Sequence, residues 1–257
     1  MEFIKIHVNG NDFVVLDIEN IDLIRNLNIK LLADRHLGIG FDQLLVLLPI
    51  INGDRKLVIY NQDGSEARNC GNGLIAIGFI LCNKLNKQYC QIELGGQIKQ
   101  CNINDDHSVT VNIGYAKEIF YQTVDLWHGI RPFYIDLMNK HAIFFAKDDF
   151  NLELLAIEGE VLEKKIHPDG INISVAIVES ENNIKLKTWE RGVGITCACG
   201  SACAATAYAY NAYHSKNNNP IIIKQIYGKT KVELTKSGIL ITSKPTVVFY
   251  GSKYQSQ

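Results

Sequence analysis

The chain has 257 residues, 47% of them hydrophobic and 21% charged, enough for one large core or, more typically, two domains of about 100–150 residues. Its formal net charge of −1 removes any global pull toward nucleic acid or an anionic membrane surface. The opening MEFIKIHVNGNDF has neither a basic n-region nor a long apolar core, and the apolar runs near Gly73 and Ala202 are too short to span a bilayer, so the expectation is a cytoplasmic protein. Without an export signal, the seven cysteines (Cys70, Cys82, Cys90, Cys101, Cys197, Cys199 and Cys203) read as thiols rather than a disulfide framework.

Along the chain, FIKIHV and DFVVLDI form a strand pair around the turn Asn9-Gly10-Asn11-Asp12. Residues Ile29 to Arg35 suit a short helix. RHLGIGFDQLLVLLP gives a glycine-rich turn and a buried strand, and RKLVIY a further strand that delivers the chain to NQDGSEARNCGNG. The run after Cys70, GNGLIAIGFILC, is apolar nearly all round and reads as a helix buried on every side. CQIELGG, QIKQCNI and SVTVNIG follow as short strands. The second half repeats the plan loosely. FYIDLMNKHAIFF holds two strands around Asn139-Lys140-His141, and Asn151 to Lys164 is helical. INISVAIVES and NIKLKTWE then lead to ERGVGITCACGSACA and a second buried helix, GSACAATAYAYNAY. The polar stretch Ser215 to Asn219 is a surface loop, and IIIKQIYG, TKVELTKSG, ILITSKP and TVVFYG close the chain as strands. Each half is strands, a glycine-rich turn with a cysteine, a buried helix and more strands, so the fold class is α+β, with two similar domains meeting near Tyr115 to Gln122.

Cys82, Cys90, Cys101 and Cys203 sit in core patterns and read as small hydrophobes, and Cys197 shares that reading. Cys70 and Cys199 differ, because glycine and polar residues crowd around them as if the backbone wraps a ligand. Each would head a buried helix, facing backbone N–H groups and the positive end of the dipole, which lowers a thiol pKa toward neutrality. Spacing alone leaves a catalytic pair and two ordinary thiols both open. A zinc site on Cys197, Cys199 and Cys203 lacks a matching pair elsewhere, so no metal is expected. CGNG lacks the lysine and hydroxyl of a P-loop and the full dinucleotide fingerprint.

Together these segments resemble the diaminopimelate epimerase family. NQDGSEARNCGNG and ERGVGITCACGS are similar to its two active-site signatures, and HVNGNDFVVLD, DRHLGIGFDQLLVL, MNKHAIFF, GINISVAIV and TVVFYG to further family segments in the same order. The resemblance implies two domains, residues 1–116 with 246–257 and residues 117–245, each a strongly curved mixed sheet around a buried central helix, with the site in the cleft between them. It implies cofactor-independent conversion of LL-2,6-diaminopimelate to the meso isomer in lysine and peptidoglycan precursor biosynthesis, by a cytoplasmic homodimer with no nucleic-acid or membrane partner. Cys199 would take the α-proton and Cys70 return one to the opposite face. Gly71, Asn72, Gly200 and Ser201 would hold the α-carboxylate on two helix N-termini, and Asn11 and Gln43 would line the reacting end. Asn61, Asn139, Asn172 and Arg191 would hold the distal amino and carboxylate groups, and His141 and Glu190 would contact the substrate amine and tune the thiols.

The chain departs from the family pattern at Ile195, where a glutamate is usual, and lacks one residue after Ser201. Met138 and Lys140 replace a glycine and a proline, and Phe249 a tyrosine tied to the family's dimer contact. Two other readings remain: a pyridoxal-independent racemase of another amino acid, of the proline or histidine type, and a non-catalytic amino-acid-binding relative. The complete distal set favours a substrate with a second charged head.

Overall fold

The computed structural model describes residues 1–51, 53–121, 126–137, 139–214 and 220–252. The chain divides into two units, Met1–Val111 with Ser243–Gln257, and Asn112–Thr242. In chain order the elements are β1 (Glu2–Val8), β2 (Asn11–Asp17), α1 (Asp22–Arg25), α2 (Ile29–Ala33), β3 (Gln43–Leu48), β4 (Arg55–Asn61), β5 (Glu66–Ala67), α3 (Gly71–Leu85), β6 (Tyr89–Leu94), β7 (Gln97–Ile103) and β8 (Val109–Asn112). They continue with β9 (Glu118–Tyr121), β10 (Pro132–Leu137), β11 (Asn139–Ala146), α4 (Leu154–Ile166), β12 (Asn172–Ser180), β13 (Asn183–Glu190), β14 (Gly194–Thr196), α5 (Gly200–His214), β15 (Ile221–Lys224), β16 (Lys229–Thr235), β17 (Gly238–Ser243) and β18 (Pro245–Ser252). Met138 and the expected surface loop Ser215 to Asn219 lie outside the described residues.

In the first unit, β1 and β2 form the expected hairpin, and the turn chemistry explains it. Asn9 and Gly10 both take positive φ, 53° and 89°, the conformation a two-residue primed turn requires and one that Asn-Gly adopts most readily. β1 also pairs antiparallel with β18, which brings the end of the chain back to its start. β2 and β3 are parallel, joined through α1 and α2. β3 and β4 are antiparallel, and β4 then runs parallel to β6 across α3. The four central residues of β3, Leu44 to Leu47, are all buried, so the strand is a continuous apolar run rather than an alternating one. Leu44 and Val46 pack in an outer cluster with Ile24 and Leu32, while Leu45 reaches Gly73 in α3.

The second unit uses the same connections. β11 and β12 are parallel across α4, β12 and β13 antiparallel, and β13 is parallel to β15 across α5. α4 covers one face of these strands through a cluster of Phe144, Leu155, Leu162, Ile173 and Val175. α5 lies against β10, β11, β12, β15 and β16 and is buried at every residue from Gly200 to Ala207. In the first unit the same place is taken by α3, buried from Gly71 to Gly78. The fold is thus α+β, with a mixed sheet around a central helix in each unit.

Several elements differ from expectation: the short strands β5, β9 and β14 were not foreseen, and β9 lies within the stretch Tyr115 to Gln122 read as the junction. Asn139, Lys140 and His141 open β11 instead of forming a turn, because β10 and β11 are already paired at Leu137 and Asn139. α4 starts at Leu154, three residues late, since Asn151 accepts the Glu153 N–H and holds the chain in a turn there. The four-residue α1 was not foreseen; its length carries almost no periodic signal.

Candidate active site

α3 is capped by Cys70, whose sulfur accepts the Gly73 N–H at 3.2 Å while its carbonyl accepts the Leu74 N–H at 3.0 Å. A small acceptor with an extended backbone suits an N-cap, and here a thiol takes the place usually held by a hydroxyl or carboxylate. The other end of α3 closes on Asn86 at φ 52°, with the Lys87 N–H on the Cys82 carbonyl and the Asn86 N–H on the Asn83 carbonyl, a Schellman arrangement. The Gly71 and Asn72 N–H groups head the helix, where the backbone ladder offers no intrahelical acceptor. Both residues are buried.

A side-chain chain organises this first turn. Asn72 Nδ2 donates to Asn11 Oδ1 at 3.2 Å, and Asn11 Nδ2 donates to Asp42 Oδ2 at 2.9 Å. Arg35 joins Asp42 to Asp12 with contacts of 2.8 Å to each, and Lys5 lies 2.5 Å from Asp12. Burial opposes charge on Asp12, yet hydrogen bonds from Arg35 and Lys5 win and bring its carboxyl down to about 2. Asp42 goes the other way, raised by burial despite the Asn11 hydrogen bond, with the Asp12 charge adding to the rise. Sequence reasoning singled out Asn11 and Gln43 but missed Asp12 and Asp42, which directly adjoin them, and Arg35. Gln43 Nε2 donates to Asn61 Oδ1 at 3.0 Å, and Asn61 Nδ2 to Ser65 Oγ at 3.1 Å.

In the second unit Cys199 stands ahead of α5 as Cys70 does ahead of α3. Its carbonyl accepts the Cys203 N–H at 3.1 Å, and its sulfur accepts the Ala202 N–H. Ser201 Oγ lies 3.4 Å from Cys199 Sγ and 3.1 Å from His141 Nε2. Burial, followed by the Glu190 charge, pushes the Cys199 thiol well above its ordinary value, with the Ser201 and Ala202 hydrogen bonds acting in the opposite sense. The expected lowering toward neutrality is therefore overturned at Cys199: desolvation outweighs the helix N-terminus. His141 is fully buried, and burial takes its pKa down to about 3, so the imidazole is neutral.

Glu190 ends β13, and its Oε1 accepts the Thr196 hydroxyl at 2.6 Å. Asn172 opens β12 beside His141 in the parallel register, and its Oδ1 accepts the Arg191 N–H at 2.9 Å. The Arg191 side chain is exposed, as is Asn139 at the start of β11. Cys82, Cys90, Cys101 and Cys203 are buried as expected of core thiols, and burial raises Cys82 and Cys203 to about 12. Cys197 is half-buried rather than in the core, because it precedes the helix instead of facing into it. The first unit thus holds Cys70, Gly71, Asn72, Asn11, Gln43 and Asn61. The second holds Cys199, Gly200, Ser201, His141, Glu190, Arg191, Asn172 and Asn139.

Two helices that begin on a thiol, in topologically equivalent places, define a duplicated fold built to present cysteine sulfurs at helix N-termini. The diaminopimelate epimerase family model matches residues 3–119 and 133–248. The chain is 32% identical over 271 residues to a diaminopimelate epimerase of Rickettsia rickettsii (strain Sheila Smith), covering 100% of this chain and 98% of that protein. The chain belongs to the diaminopimelate epimerase family. Two solved structures share the fold: a phenazine biosynthesis protein of the PhzF family from Bacillus anthracis (TM-score 0.74, 14% identity, 98% of each chain) and a hydroxyproline epimerase from Agrobacterium vitis (TM-score 0.71, 15% identity, 98% of this chain and 91% of that one).

Proposed function

We propose that this protein interconverts LL-2,6-diaminopimelate and meso-diaminopimelate, with Cys199 taking the α-proton and Cys70 returning one to the opposite face. The observation that carries this reading is the repeated cap, a cysteine sulfur accepting the N–H three residues on at the start of both α3 and α5. An amino-acid α-proton is very weakly acidic, so charge that develops on the α-carbon and its carboxylate needs aimed donors. The N–H groups of Gly71, Asn72, Gly200 and Ser201 supply them at two helix N-termini. The acid–base pair itself contributes about 10²–10⁴-fold, leaving the rest to those dipoles and to exclusion of water.

Burial and then Glu190 raise the Cys199 pKa. The substrate α-ammonium paired with Glu190 cancels the carboxylate's contribution. Binding then favours the thiolate at the moment it is needed. Asn11 and Gln43 line the reacting end, and Asn61, Asn139, Asn172 and Arg191 receive the distal amino and carboxylate groups. Arg191 is the residue a substrate with one carboxylate would leave unused.

We also read the enzyme as a cytoplasmic homodimer serving lysine and peptidoglycan precursor synthesis. Val248, Phe249 and Tyr250 on β18 are 53%, 44% and 74% exposed, and exposed apolar side chains along this strand support a contact with a second copy.

Deuterium uptake at the α-carbon in D2O tests the substrate reading, with LL-diaminopimelate, proline and histidine compared. Uptake with appearance of the meso isomer, and none for the other two, is the expected result. Uptake only into proline or histidine would replace the substrate.

A further inference from the structure

The hydroxyl of Ser201 has two neighbours, the Cys199 sulfur at 3.4 Å and His141 Nε2 at 3.1 Å, and which way its proton points decides what Cys199 can do. The other ring nitrogen of His141 settles the direction. Nδ1 is buried and has no hydrogen-bond partner among the described residues. A buried N–H without an acceptor is rarer and costlier than a buried lone pair without a donor. The favoured neutral tautomer therefore carries its hydrogen on Nε2 and leaves the lone pair on Nδ1. Nε2–H then donates to Ser201 Oγ, which uses one lone pair of that oxygen and leaves the Ser201 O–H to donate to Cys199 Sγ.

We infer that Ser201 is a positioning residue whose hydroxyl, oriented by His141, donates to the Cys199 sulfur and stabilises its thiolate. The inference rests on reading Cys199 as the proton-abstracting thiol. It gives buried His141 a role other than that of a base. A fully buried imidazole cannot readily take a proton, but as a fixed donor His141 can hold Ser201 in one orientation. Among the described residues, the titratable groups that act on Cys199 are Glu190 from β13, whose charge opposes the thiolate, and Cys203 from α5, while His141 from β11 reaches it only through Ser201. Ser201 and the Ala202 N–H are the contacts that act against that charge. Two donors on one sulfur at a helix N-terminus form a small anion site shaped for a thiolate.

Two measurements test this. Nitrogen-15 NMR of the wild-type protein near neutral pH reads the His141 tautomer directly. A protonated Nε2 with a bare Nδ1 is expected, and a protonated Nδ1 would overturn the inference without any variant. In Ser201→Ala, the pH midpoint of Cys199 alkylation, resolved from Cys197 by fragment mass spectrometry, should rise by roughly one unit. kcat should fall about tenfold with KM little changed, and the alkylation of Cys197 should follow the wild-type curve. An unmoved Cys199 midpoint, or equal shifts at Cys197 and Cys199, would overturn it. A wild-type protein that exchanges no diaminopimelate would defeat the proposed function, while the tautomer and alkylation results would still judge Ser201.

Discussion

Asp12 shows how a residue outside the chemistry can hold the site in place. Its carboxylate joins Lys5, which is buried, to Arg35, and the Asp42 partner of that arginine fixes Asn11. Asp12→Asn leaves a buried ammonium uncompensated and should cost about 3 kcal/mol at neutral pH by chemical denaturation. The folded pKa is depressed to about 2 from 3.8, so the stabilisation is present above the ordinary value and lost as pH falls through about 2. The wild-type and variant curves should accordingly converge in strong acid. His141 reaches the same sign of slope by a different cause: burial depresses this base from 6.5 to about 3, which leaves the unfolded chain binding the extra proton between those values. Stability therefore falls as pH drops through that window, and His141→Gln should flatten the slope there. Little of this was legible in the sequence. Asn11, Gln43 and the two thiols stand in glycine-rich, polar contexts that mark them locally. The contacts that orient them come from Arg35, Asp42 and Ser201 through folding, and the burial that raises Cys199 has no local signature at all.

At the scale of elements, the two buried helices were the clearest features of the chain, because small and apolar residues on every side leave no polar face to expose. The reason for individual small residues emerges only from packing. A Cβ on Gly78 in α3 would lie 2.6 Å from Cys101 Cβ in β7. In an exposed helix Gly→Ala adds about 1 kcal/mol of stability. Here Gly78→Ala should instead destabilise by about 1–3 kcal/mol, measured by urea unfolding, since the new methyl would meet Cys101 and Val109 closer than van der Waals contact. A stabilised variant would show that α3 and β7 are not held this closely. The Asn9-Gly10 hairpin was legible because its turn type demands those residues. The β10–β11 connection was not, because Asn139, Lys140 and His141 have turn-like chemistry but are drawn into the ladder by pairing with Leu137, Asp136 and Ile135.

For the whole molecule, the repeat of connections is what gives the two thiols equivalent stations. Parallel strands across α3 and across α5 bring each helix N-terminus after a short hairpin, β4–β5 in one unit and β13–β14 in the other. The order of elements was readable as a loose duplication, whereas its exactness of connection needed the strand pairings, which no single sequence prints. The central claim is that both thiols are required, one to give and one to take. The most direct measurement is the conversion of LL-diaminopimelate to the meso isomer by Cys70→Ala and Cys199→Ala, each assayed as a folded protein beside wild type. Loss of at least about 10²-fold in kcat/KM in both variants is the predicted result. Full activity in either one would contradict the two-thiol account.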